Sequence, residues 1–147
     1  MPATTSAINA CDAAIAIDNA AGVLVDISGA ANRAALEFTQ TVESYRVFGE
    51  RWIRRLACGK DATLRLDLVY TTTANEALDL LRDWFFASGS AAPRTVRIAV
   101  AGTIGSDAYE GEFVLARLNL PLDASNAAPI LVTADLLPHG VVSYTTI

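Results

Sequence analysis

The chain has 147 residues, 52% of them hydrophobic and 18% charged, which is enough apolar material for one domain with a real core. A net charge of −5 and a pI near 4.7 argue against a protein that grips nucleic acid over its whole surface. No apolar run approaches the roughly 20 residues a membrane helix needs, so the sequence reads as soluble and without a membrane partner.

Residues 1–11 lack a basic leader and read as a flexible N-terminal arm rather than a secretory signal. Asp12 to Asp18 and Gly22 to Ile27 read as short strands joined by an Asn19-Ala20-Ala21-Gly22 turn, a first hairpin. From Ala34 to Glu43 the pattern alternates. Leu36, Phe38, Gln40 and Val42 form a mostly core face, whereas Glu37, Thr39, Thr41 and Glu43 form a wet one.

Residues 44–61 then fit neither strand nor ordinary turn. They carry four arginines and a lysine together with Tyr45, Phe48, Trp52 and Ile53, more apolar surface than a solvated connector needs. A connector this long is usually functional or disordered, and aromatic–arginine content is typical of interface anchors. The competing reading folds Trp52, Ile53 and Leu56 back onto their own core, and a third stacks Trp52 on bases beside Arg51, Arg54 and Arg55. Glu43, Glu50 and Asp61 interleave with these arginines, which favours a protein contact over a phosphate patch.

Alternation returns at Thr63 to Tyr70, with Leu64, Leu66, Leu68 and Tyr70 on one side and Thr63, Arg65, Asp67 and Val69 on the other. The period then changes. Thr73 followed by Glu76 reads as a capping box, and Ala77, Leu78, Leu81, Trp84 and Phe85 recur at helical spacing, which predicts one helix over about 74–87 closed by Ser88-Gly89-Ser90. Strands follow at Thr95–Ala101, Tyr109–Asn119 and Ile130–Leu136, separated by a glycine turn and a polar, proline-bounded loop. Pro138-His139-Gly140 opens a C-terminal tail, 138–147. The predicted fold is mainly β, an antiparallel two-sheet sandwich or barrel with one flanking helix.

No constellation carries chemistry. Gly102-Thr103-Ile104-Gly105-Ser106 lacks the lysine and the following helix of a phosphate-cradling loop. His139 is the single histidine, and Cys11 and Cys58 have no metal-like spacing; they read as buried or half-buried thiols, with a disulfide left open. An enzyme, a cofactor and a metal site are not expected.

The order TVESYRVFGERWIRRLACGKDATLRLDLVY, then TANEALDLLRDWFFASG, then YEGEFVLARLNLPLDASNAAPILVTADL resembles the tail tube proteins of long-tailed bacteriophages. The matched phrases are Phe48-Gly49, Trp52 and Gly59-Lys60-Asp61-Ala62-Thr63 leading into a strand, the helix ending in Trp84-Phe85, and the small polar loop from Pro121 to Pro129. Arg54-Arg55 and Cys58 depart from that pattern by making the loop more basic, and the first eleven residues match nothing in it.

The resemblance spans about Val23 to Leu137 and implies one tail-tube-like domain over 1–147, related in fold to the type VI secretion tube. It implies hexameric rings stacked into a hollow tube through which the genome passes, in the tail of a virion assembled in the host cytoplasm. The implied partners are other copies of the chain, tape-measure, tail terminator and distal tail proteins, and double-stranded DNA in transit without specific binding. In that setting Phe48, Arg51, Trp52, Arg54 and Arg55 are the expected contacts between subunits or rings. The expected channel lining is Glu37, Thr39, Thr41, Glu43, Thr63, Arg65, Asp67, Glu112, Thr133 and Asp135. The alternative reading is a monomeric β-sandwich binding module whose 44–61 loop recognises a protein or carbohydrate; a lipocalin-like barrel ranks below it.

Overall fold

A computed structural model describes residues 8–87, 92–125 and 128–147 of the chain. Its strands are β1 (Ala14–Asp18), β2 (Leu24–Asp26), β3 (Ala31–Tyr45), β4 (Arg54–Val69), β5 (Arg94–Ala99), β6 (Asp107–Asn119) and β7 (Leu131–Thr146), and its helix is α1 (Ala77–Phe85). All neighbours pair antiparallel in one sheet of order β2-β1-β5-β6-β7-β4-β3.

That order forces the sheet to curl. β2 and β3 are its opposite edges, yet only residues 27–30 join them. Six inter-strand steps of about 4.8 Å would set the edges of a flat sheet about 29 Å apart, whereas five Cα steps of 3.8 Å reach at most about 19 Å. The edges therefore approach one another. The link is pinned at both ends, because the Ile27 N–H donates to the Ile15 carbonyl and the Val69 N–H to the Ala30 carbonyl. The expected β-sandwich with a flanking helix is present, folded from a single continuous sheet.

The curl encloses one core. Ile15 and Ile17 of β1, Val96 of β5 and Phe113 of β6 meet Leu64, Leu66 and Leu68 of β4 and Val132, Ala134 and Leu136 of β7. Each fully buried leucine contributes about 1.5–3 kcal/mol. α1 covers this core with Leu78, Leu80, Leu81 and Trp84, and the Trp84 indole N–H donates to the Ala92 carbonyl at 2.9 Å while the Arg94 guanidinium lies 5.4 Å from its ring centre.

Several expectations need correction. Phe85 is half exposed, and Leu80 takes the buried place on the helix. α1 starts at Ala77 with Glu76 as its N-cap residue, and the capping box fails because the Glu76 carboxylate accepts from the Thr71 hydroxyl. Asp79 of the first turn reaches back instead to the residue before the cap, its carboxylate accepting the Asn75 N–H at 3.0 Å and held below its usual range by that bond. The residues expected to close the helix, 88–90, lie outside the described ones, as do 1–7 of the arm.

Residues 54–61, expected inside a long loop, are the first half of β4, and 138–146, expected as a tail, continue β7. Pro138-His139-Gly140 makes a bulge rather than a turn: Phe113 pairs with Pro138 but Gly111 with Val142, so β7 carries two extra residues there. Cys11 and Cys58 are both free and exposed, not buried.

Candidate functional site

β3 and β4 outrun the body they belong to. Their pairing begins at Ala31↔Leu68 over the core and continues to Tyr45↔Arg54, but every residue from Glu37 to Asp61 is exposed. The connecting loop is only 46–53, shorter than expected. At Gly59, φ is +70°, a conformation that side chains on L-residues rarely adopt, and the register slips there from Gln40↔Lys60 to Thr41↔Cys58. This bulge reverses the face alternation of β4. Beyond it Leu56 and Cys58 share a face with Glu43 and Thr41, while Ala57 and Arg55 lie beside Val42 and Ser44.

At the tip, Arg54 Nε donates to Glu50 Oε2 at 2.8 Å and a second guanidinium nitrogen bonds Oε1. The pair holds the Glu50 carboxyl below its ordinary range, and Glu50 first, then the Tyr45 hydroxyl, holds the Arg54 guanidinium above its own. Neither aromatic of the loop folds home. Phe48 is 108% and Trp52 85% exposed. Of the expected contact residues, Phe48, Arg51 and Trp52 thus stand on the loop, and Arg54 and Arg55 on opposite faces of the opening of β4. Phe38 and Val42, read as core, are about half exposed because the body ends before them.

The ten residues expected on a channel wall all fall on the sheet face turned away from the core, and none is buried. Rungs of the ladder align them: Glu37 with Thr63, Ala35 with Arg65 and Asp135, and Arg33 with Asp67 and Thr133. Arg117 and Asn119 of β6 extend the same rungs and were missed, because simple alternation from Glu112 puts them on the other face and only the bulge between Leu115 and Arg117 turns them onto this one. Opposite charges meet: Arg117 lies 3.6 Å from Asp135 and Arg65 4.0 Å from Asp67, which also accepts from the Thr133 hydroxyl at 3.2 Å. Glu112 sits further along β6, accepting from Thr95. Arg65 and Arg117 each meet an acid, whereas Arg33 has no ion-pair partner among the described residues.

No group of histidine, cysteine and carboxylate side chains among the described residues is arranged to hold a metal ion, and no helix there is long and apolar enough to cross a membrane.

No family model and no curated protein matches the sequence. Solved structures do match the fold. A chain in the tail of an empty gene transfer agent particle with C6 symmetry superposes with a TM-score of 0.76 at 13% identity, over 95% of this chain and 99% of that one. One in the anti-feeding prophage baseplate, six-fold symmetrised, gives 0.76 at 18% identity over 97% of each. The SPP1 tail tube gives 0.74 at 9% identity, over 96% of this chain and 80% of that one. The chain has the tail-tube fold. Coverage this complete leaves only a few residues unmatched, so the tail-tube fold takes in most of the projecting β3–β4 hairpin as well as the body.

Proposed function

We propose that this chain is a structural tube subunit, copies of which form rings of six that stack into the hollow tail tube of a virion or virion-like particle. One observation carries the reading: an exposed stretch from Glu37 to Asp61 with Phe48 and Trp52 free of the body is apolar surface that only another molecule can cover. The six-fold symmetry of the gene transfer agent tail and the prophage baseplate supports the ring number. Phe48, Arg51, Trp52, Arg54 and Arg55 then contact a neighbouring subunit or ring.

The polar face from β3 to β6 is the proposed channel wall. Five acids among the ten residues, against Arg65 there and Arg33 and Arg117 on the same rungs, leave the face acidic on balance toward a duplex carrying one negative charge per about 1.7 Å, so a genome passes without sticking. Tape-measure, terminator and distal tail proteins are the proposed tail partners, with assembly in the host cytoplasm, and no catalytic step is assigned.

Negative-stain microscopy of the purified chain over a concentration series tests this. Rings or tubes are expected; a monomer at every concentration that binds a ligand saturably sinks the reading in favour of a binding module.

A further inference from the structure

One cleft lies where the β3–β4 hairpin leaves the body. It has a volume of about 210 Å³ and is lined by Phe38, Lys60, Asp61, Ala62, Pro138 and Val142. Its floor is apolar, and Phe38 is fixed there by Tyr109, 5.6 Å away between ring centres. Its rim carries Lys60, which shares the face of Phe38 and Ala62 and has no ion-pair partner among the described residues; Asp61 contributes along the strand, its carboxylate lying on the opposite face with Thr39.

We infer that this cleft receives Trp52 from a second copy of the chain. An apolar hole with an unpaired ammonium on its rim suits an indole better than a phenyl ring. The indole body fills the floor and its face accepts the Lys60 ammonium, a contact for which indole is the best of the aromatic rings. Phe48 offers a smaller and weaker face.

The chain's own Trp52 cannot be the occupant. The cleft lies at the Phe38↔Ala62 rung, and the ladder runs seven residues further along β3 to Tyr45↔Arg54, about 23 Å at 3.3 Å per residue, before the loop begins. Knob and hole on one chain, held apart by a stiff ladder, make a head-to-tail contact that repeats from copy to copy. The assignment rests on the tube reading above and adds the docking site that reading lacks.

The test uses a full chain with Cys11→Ser and Cys58→Ser, carrying Val141→Cys on the cleft rim and either Arg51→Cys or Ile53→Cys beside an intact Trp52. Val141 is 84% exposed, so its replacement leaves the fold alone. On oxidation, a ladder of species beyond dimer is expected from the paired variants and not from the single ones. In the chain with its native cysteines, Trp52 emission moves to shorter wavelength on assembly, and Trp52→Ala raises the concentration needed for assembly roughly thirtyfold, as loss of a central anchor does. Particles without a ladder and without the emission shift overturn the cleft assignment and leave the tube reading standing. A parent chain that forms no particles overturns both.

Discussion

Trp84 and Trp52 show how the same side chain serves two ends. Trp84 is 1% exposed, with its N–H satisfied by Ala92 and its ring under Arg94. Trp84→Ala is expected to cost about 3–5 kcal/mol in urea denaturation, and Trp84→Phe about 1–3 kcal/mol because the Ala92 carbonyl loses its donor. Trp52→Ala, removing a side chain that touches little of its own subunit, is expected to stay within about 0.5 kcal/mol of the parent. The Glu50–Arg54 pair sets the acid response of the loop. Arg54 depresses the Glu50 carboxyl in the folded loop, so the pair is complete above the ordinary carboxylate range and is lost as pH falls through the depressed value. Trp52 anisotropy should fall over that acid range in the parent chain and stay flat in Glu50→Gln; equal profiles refute a role for the pair in ordering the loop.

At the scale of elements, the β3–β4 hairpin depends on Gly59. A β-carbon there meets only Thr41, at 3.8 Å, so space is ordinary and the cost is conformational. Gly59→Val should destabilise the hairpin by about 1–2 kcal/mol, read as faster amide exchange at Thr41 and Val42 with the core unchanged; uniform acceleration across the chain would count against a local effect. The same glycine explains what the sequence hid. Leu64, Leu66 and Leu68 were legible as strand because one face is buried and the other wet. Arg54 to Asp61 were not, because both faces are exposed, which removes apolar alternation, and the bulge flips the parity midway. Pro138-His139-Gly140 misleads likewise: turn residues serve a bulge within β7. α1 was legible from its buried stripe, while its start depended on the Glu76–Thr71 contact, which no local spacing announces. Of the site, most of the polar face followed from alternation, whereas the cleft joins residues 38–62 to 138–142 and exists only because β7 pairs beside β4, a long-range neighbour that local pattern does not announce.

For the molecule as a whole, charge and topology have separate consequences. If the acidic face exists to keep DNA moving, Glu37→Lys with Glu43→Lys should create duplex binding that weakens steeply with salt, whereas the parent gives no mobility shift; binding by the parent at moderate salt would refute the role. Topology acts through time. The β3–β4 ladder closes over an eight-residue loop, but β1 pairs with β5 about 80 residues downstream, Ile15 with Ile98. Tenfold longer closure costs about 2 kcal/mol more, so the hairpin is expected to zip before the two edges are drawn together through residues 27–30. On a ribosome adding about 5–20 residues per second, β4 is complete seconds before β5 emerges. The hairpin that presents Trp52 is then finished while its receptor, which needs β7, does not yet exist in the same chain. A nascent chain has its knob before its hole and can cap a finished copy without extending it, so slow synthesis should delay polymerisation even at a fixed total amount of protein.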